Sequence, residues 1–345
     1  MPIQKFLHIE ILRLGAIFLV VITHYIAAFC PEMFSFWHTH WWMNGFTGKL
    51  GVAMFFVLAG YFASKPSSRS LSEYSVRRYL QFVLNIMVVL VLFVVALALG
   101  RHYSFITTCH NILRAMYSAI ILDTTICNTF WCMREFLLGS ILCYILGNTS
   151  SYISTHTHTG AAMVVFFDII FCFLLWKLWS VWIAICALGW CVRKLDEANL
   201  SRPFKLPMIG LFLIMIPLLY RHPESDLTYM AQGVACAMLL YVLNQACLSY
   251  RKFRKNYTSF EVSCLVCLTS LLDGFAFALF LVHSLVFDFI HSLGYDKTFA
   301  NVYVIMSIVF VVACVMTMVD KMLLRKIMEK INHTFFTKMC YEKNM

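Results

Sequence analysis

The sequence predicts an all-α integral membrane protein, a bundle of about ten transmembrane helices with both termini cytoplasmic. Three observations carry that prediction. Of the 345 residues 61% are hydrophobic and only 13% charged, about half the roughly 25% of charge usual in a soluble domain, and the mean hydropathy is +0.78. The apolar residues gather in runs long enough to cross a hydrocarbon layer. The basic residues between those runs divide unequally by side, as they do in membrane proteins of fixed orientation.

The first run, within residues 9–29, follows Lys5. It contains Arg13 and His24, lacks a small-x-small cleavage pattern and has the length of a span, so it reads as a retained first helix and not as a secretory signal. Further spans follow at about 47–64, 79–99, 131–147, 161–176, 178–192, 207–220, 229–249, 273–292 and 298–319. Segment 101–130 is mixed in polarity and predicts a loop or an interfacial helix. These spans compose one domain over residues 1–320, and residues 321–345 form a basic cytoplasmic tail. Nineteen of the 27 Lys and Arg residues fall on the N-terminal side of the membrane in this topology, in clusters at 65–78, 193–205, 251–255 and 321–343 together with Lys5. Lys49, Arg101, Arg114, Lys177, Arg221 and Lys297 fall on the other side, which makes both ends cytoplasmic.

Composition also excludes some functions. The formal charge of +10 sits in short clusters between apolar runs, the pattern of membrane orientation and not of a nucleic-acid surface. Most of the 14 cysteines are scattered singly through apolar runs, where a thiol packs as a small hydrophobe. Cys264 and Cys267 form a C-x-x-C with no second pair. His38 with His40, and His156 with His158, form H-x-H pairs with no Cys or carboxylate nearby, so no metal site is expected. Cys30, Cys109, Cys127 and Cys132 fall near the expected outer face, and the sequence leaves a disulfide among them open.

Ionisable groups inside a membrane are costly unless paired or facing a cavity, which makes them the first candidates for chemistry. The first helix holds three: Glu10, Arg13 and His24. Eleven steps at 100° return Arg13 and His24 to within about 20° of one another, roughly 16 Å apart along the axis, so one face carries all three. The structural alternative is that Arg13 snorkels to headgroups beside Glu10 while His24 bonds a backbone carbonyl.

Several segments, in order, resemble the membrane-bound acyltransferase type 3 family. Arg13 followed after ten residues by His24 is similar to the family's first-helix signature, and Gly51-Val52-Ala53-Met54-Phe55-Phe56-Val57-Leu58-Ala59-Gly60-Tyr61-Phe62 is similar to its G-V-x-x-F-F-V-L-S-G segment. Arg77-Arg78 resembles its cytoplasmic R-x-x-R patch, Trp131 its L-W-F motif, and Phe280-Leu281-Val282-His283 its late Y-L-x-H. The chain departs from the pattern at Gln81, where the second Arg of the patch would stand, at Ala59 in place of Ser, and at Phe280 in place of Tyr.

The resemblance implies transfer of an acyl group, most often acetyl, from cytoplasmic acetyl-CoA to a hydroxyl of a surface glycan or lipid-linked sugar in a bacterial inner membrane. The chemistry of the residues fits that implication. A sugar hydroxyl needs a base, and imidazole has the unperturbed pKa nearest neutrality, so His24 is the expected general base. Glu10 or Glu135 is the expected orienting group. Arg13, Arg77 and Arg78 are assigned to the phosphates of coenzyme A; the alternative for Arg77 and Arg78 is topology alone. Arg134 and Glu135, just after Trp131, are expected on the outer side, lining an acceptor cavity or pairing locally. Asp168, Asp273 and Asp288 are single carboxylates expected to hold helices together. The aromatic loop Phe34–Trp42 fits an interfacial anchor or a sugar platform. No G-x-S-x-G elbow marks a covalent nucleophile. A transporter or flippase, and a non-catalytic sensor or scaffold, are the rival classes; neither a duplicated half nor symmetrically broken helices support the first.

Overall fold

A computed structural model describes residues 7–30, 48–65, 69–123, 128–156, 180–198, 226–253, 272–293 and 302–331, apart from Pro66 and Ser68 between two of these stretches and with a few single residues elsewhere. Every regular element among them is helical. In chain order these are α1 (Leu7–Phe29), α2 (Gly48–Ala63), α3 (Leu71–Arg101), α4 (Phe105–Ile121), a 3-10 turn (Asn128–Cys132), α5 (Met133–His156), α6 (Val181–Ala198), α7 (Asp226–Phe253), α8 (Phe275–Ser292) and α9 (Val302–Val319). Six helical stretches have the length and hydropathy to cross a membrane: His8–Phe29, Leu71–Arg101, Phe130–Thr149, Asp226–Cys247, Phe275–Ser292 and Val302–Ile331. The apolar helix Gly48–Ala63 is shorter. The expected span at 207–220, most of that at 161–176, the His38 and His40 pair, Asp168, Cys127, Cys264 and Cys267 lie outside the described residues.

The chain folds as two compact units. The first comprises Met1–Thr23, Glu32–Ser67 and Leu138–Asp273, with α2, α6 and α7 packed on one another. Small residues let these backbones approach. A methyl at Gly60 would overlap the carbonyl of Cys186, and one at Gly189 the carbonyl of Val57, so α2 and α6 meet backbone to backbone through two glycines. Phe56 packs on Trp182 at 5.3 Å, and Trp182 stacks on Tyr229 at the same separation. Lys49 caps this ladder with its ammonium 4.6 Å from the Tyr229 ring centre.

The second unit comprises His24–Pro31, Ser68–Leu137 and Gly274–Met345. Its axis is α3, 31 residues long or about 46 Å at 1.5 Å per residue. Ser70 caps α3 by accepting from the Glu73 N–H at 3.2 Å, and the Ser-x-x-Glu spacing is that of a capping box. His102, with a left-handed φ of 51°, ends the helix. The chain then turns back as α4, which lies along α3, and the Tyr79 hydroxyl donates to the Ile120 carbonyl at 2.5 Å. Within the mixed segment 101–130, Phe105–Ile121 is thus the second arm of a helical hairpin. Ala115, Ser118 and Ala119 form its buried stripe, while Phe105, Ile106, Leu113 and Tyr117 point outward.

The start of the fourth predicted span packs against the first arm of this hairpin. The Phe82 ring of α3 lies 5.7 Å from both Phe136 of α5 and Phe277 of α8. Phe82 is eleven residues from Leu71 and nineteen from Arg101, so Trp131, Arg134 and Glu135 belong to the half of α3 that carries Arg77 and Arg78. Cys30, Cys109 and Cys132 are free thiols. Asp320, where hydropathy ends the last span, lies inside a helix: α9 passes through a π-turn, Asp320–Leu324, and continues helically to Ile331.

Close approach at glycine gives a paired test. Gly189→Leu is expected to lower the thermal midpoint of detergent-solubilised protein, at a cost of about 1–3 kcal/mol. Gly15→Ala, where a methyl meets nothing within 4 Å, is expected to leave it unchanged or raise it slightly. Equal midpoints for Gly189→Leu and wild type, read from tryptophan fluorescence, would contradict the contact.

Candidate active site

His24 occupies the last third of α1, in the second unit, and meets His283 of α8 there. The two imidazoles are 5.0 Å apart between centroids with their planes at 70°. His283 is completely buried. Its Nδ1 lies 3.1 Å from the Leu279 carbonyl one turn earlier; a carbonyl only accepts, so Nδ1 carries the proton and donates. Nε2 has no hydrogen-bond partner among the described residues. Phe280 and Phe287 flank the ring at 5.9 and 6.0 Å. The neighbouring Tyr25 packs on Phe287 at 5.9 Å, and its buried hydroxyl is also without a partner among the described residues.

At the other half of this unit stand the arginines. Arg78 lies with its guanidinium 5.2 Å from the Phe82 ring centre and donates to the Gln81 side-chain oxygen at 3.0 Å. Gln81, the departure from the R-x-x-R pattern, therefore holds the preceding arginine in place. The Asn85 amide donates to the Gln81 carbonyl at 2.9 Å and to Asp320 at 3.2 Å, and Arg325 donates to the other Asp320 oxygen at 2.9 Å. Gly274, with φ +83°, sits against Arg325 and Asp320, a backbone conformation that favours glycine. Arg77 is half-buried on the same first turns of α3.

Helix rise sets the distance between the two groups. Arg78 is one turn from Phe82, and Phe277, in contact with Phe82, is six residues from His283. The axial separation is about 15 Å.

The first unit holds the remaining candidates of α1. Arg13 forms an ion pair with Glu10 at 2.5 Å and lies 4.9 Å from the Phe62 ring centre. Glu10 is buried and fourteen residues before His24 in the same helix, about 21 Å along it, so its carboxylate serves Arg13 and does not orient the histidine. Glu135 is placed with Phe136 near Phe82. The ring that packs on His24 among the described residues is that of His283.

Sequence reasoning also passed over a polar cluster in the first unit. Asp196, just past the apolar part of α6, accepts from Asn244 at 2.6 Å, from Gln245 at 3.1 Å and from the Tyr61 hydroxyl at 3.0 Å. Asn244 also bonds His8 at 2.6 Å. Burial pushes the Asp196 carboxyl above the usual carboxylate range, against the hydrogen bonds and the Arg193 charge that pull it down. The signal was present as Asn244-Gln245, an adjacent polar pair inside an apolar run, which requires a partner when buried. Among the described residues no cluster of three His, Cys, Asp or Glu is placed to hold a metal.

Comparison with known proteins adds one finding. A family model described as an acyltransferase domain matches residues 6–319, nearly the whole chain. No curated protein and no solved structure matches it.

Removal of the Asp196 carboxylate is expected to be costly because three donors lose their acceptor at once. Asp196→Leu should destabilise the protein by about 3 kcal/mol, and Asp196→Asn, which keeps one carbonyl oxygen, by less. Thermal unfolding of both variants in detergent checks the order; identical midpoints for wild type and Asp196→Leu would refute it.

Proposed function

This chain belongs to the acyltransferase type 3 family, and from that premise we propose that it is an O-acetyltransferase of a bacterial inner membrane, carrying acetyl from cytoplasmic acetyl-CoA to a hydroxyl of a surface polysaccharide or lipid-linked sugar. That it is an integral membrane acyltransferase follows from the family and the apolar helices; the donor, acceptor and residue roles are the proposal. The observation that supports it most directly is the arrangement of the second unit. A histidine pair stands about 15 Å from the half of α3 that bears Arg77 and Arg78, a gap that the pantetheine arm of a phosphate-anchored cofactor can bridge.

His24 removes the proton from the acceptor hydroxyl as that oxygen attacks the thioester carbonyl. The new carbon–oxygen bond forms, the carbon–sulfur bond breaks, and the thiolate of coenzyme A takes the proton back from His24. The base therefore ends as it began, and no covalent acyl-enzyme is needed. Aromatic and aliphatic side chains around the pair keep water from competing with the sugar as nucleophile. Arg77 and Arg78 hold the phosphates, where guanidinium forks match phosphate geometry. Arg13, fixed by Glu10 and Phe62, contributes positive charge toward the cytoplasmic end of α1. The excess of basic residues on the N-terminal side supports both ends being cytoplasmic, the side on which acetyl-CoA is available.

Membranes carrying wild-type protein are expected to move labelled acetyl from acetyl-CoA into glycan, and membranes with His24→Ala at matched levels are not. Retained transfer in His24→Ala would remove the base assignment. Absence of label with the wild type would remove the reading and favour a transport function.

The phosphate assignment has a separate readout. Arg77→Ala with Arg78→Ala is expected to raise KM for acetyl-CoA about tenfold or more, from the loss of charge-assisted hydrogen bonds. An unchanged KM in the double variant would leave these residues with topology alone.

A further inference from the structure

We propose that His283 is a positioning residue for acyl transfer, its Nε2 accepting a hydrogen bond from the His24 ring while that ring holds the proton taken from the acceptor hydroxyl. The proposal rests on the assignment of His24 as base. It starts from an unbalanced polar group. His283 is 0% exposed and Nε2 has no partner among the described residues, whereas buried polar atoms are as a rule hydrogen-bonded. An orphan of this kind calls for an explanation, and a partner taken up during the working cycle is one.

The local bonding decides what it can receive. The Leu279 carbonyl holds the Nδ1 proton at 3.1 Å, so a neutral His283 presents Nε2 as an acceptor and not as a donor. The rings packed around His283 are His24, Phe280 and Phe287, and of these only His24 can donate an N–H. The 5.0 Å between ring centres is about the separation of two imidazoles joined by a single N–H to N hydrogen bond, given a ~2.9 Å donor–acceptor distance and the ring radii. The rings now meet at 70°, and the proposed bond turns the His24 ring so that an N–H faces Nε2.

The chemistry needs such an acceptor at one moment. A neutral His24 has one N–H and one lone pair, and attack of the hydroxyl uses the lone pair. Once it has taken the proton, His24 has two N–H groups. One returns its proton to the departing thiolate; the other is left for the His283 ring packed beside it. His283 supplies the acceptor, fixes the ring's orientation and holds the cation through a charge-assisted bond. His283 keeps its own Nδ1 proton throughout, and no net proton passes to it.

Substitution separates this role from packing. His283→Phe keeps a ring and removes the acceptor; His283→Gln places an amide oxygen near the position of Nε2. Wild type, His24→Ala, His283→Phe, His283→Leu and His283→Gln are assayed in membranes at equal protein level for transfer from labelled acetyl-CoA. We expect His283→Phe to lower kcat roughly 10- to 100-fold with KM for acetyl-CoA within about twofold, and His283→Gln to recover most of the rate. A full rate in His283→Phe overturns the proposal, as does a His283→Gln variant no more active than His283→Phe. If His283→Phe does not accumulate, His283→Leu is the acceptor-free comparison. If neither does, His283→Gln decides alone, supporting the proposal with a tenth or more of the wild-type rate and overturning it with a rate equal to His24→Ala. Wild type without transfer takes down the function and this inference together. A His24-dependent wild type with fully active His283→Phe takes down this inference only.

Discussion

A polar side chain among apolar helices has no water to turn to, and most of the specific contacts in this protein answer that constraint. In the first unit Asp196 collects donors from α2 and from two adjacent positions of α7, and through Asn244 it reaches His8 of α1. In the second, Asp320 binds Asn85 of α3 and Arg325 of its own helix. Apolar packing alone lets helices rotate or slip against one another with little penalty, since lipid is as apolar as leucine. Breaking one of these polar knots leaves an uncompensated group in a low dielectric, so they fix which face of each helix points inward.

The same constraint shapes the site. Arg13 is satisfied by Glu10 and Phe62, Arg78 by Gln81 and Phe82, and His283 is satisfied on one nitrogen only. Both arginines thus have partners, while two buried atoms without a partner among the described residues, His283 Nε2 and the Tyr25 hydroxyl, stand at the expected base. Under the proposed function, the arginines would be held ready for phosphate and the acceptor for a charge that appears transiently.

The features legible in the sequence were those written along one helix. The limits of α1, the pairing of Glu10 with Arg13, and the apolar second helix follow from periodicity and from motif order, and the family match over 6–319 agrees with the resemblance those motifs carried. What the sequence hid depends on neighbours. Thr107, Thr108, His110, Asn111 and Arg114 dilute the hydropathy of segment 101–130, so the sequence leaves a loop and an interfacial helix open; the helix Phe105–Ile121 is decided by the narrow stripe of Ala115, Ser118 and Ala119 on which it docks against α3. The packing of Phe136 against Phe82, which sets Trp131, Arg134 and Glu135 beside the first half of α3, is likewise a contact that no local pattern encodes. His283 was visible as a motif residue, but its meeting with His24 is a contact between the first helix and one about 260 residues later, which no local pattern encodes.

The π-turn at Asp320–Leu324 has a consequence for the end of the chain. Its backbone bond runs from the Arg325 N–H to the Asp320 carbonyl, five residues back, so the turn holds one residue more than an α-helix would. That extra residue brings the Arg325 side chain over Asp320, whereas in an unbroken α-helix a residue five places on lies about 140° away around the axis. It also turns everything that follows by about 100°. Lys326 and Lys330 therefore face a direction that the pattern of residues 302–319 does not forecast. The basic end of this helix is aimed by a change of winding, and an insertion or deletion of a single residue in the turn would re-aim it while leaving the composition of the tail almost untouched.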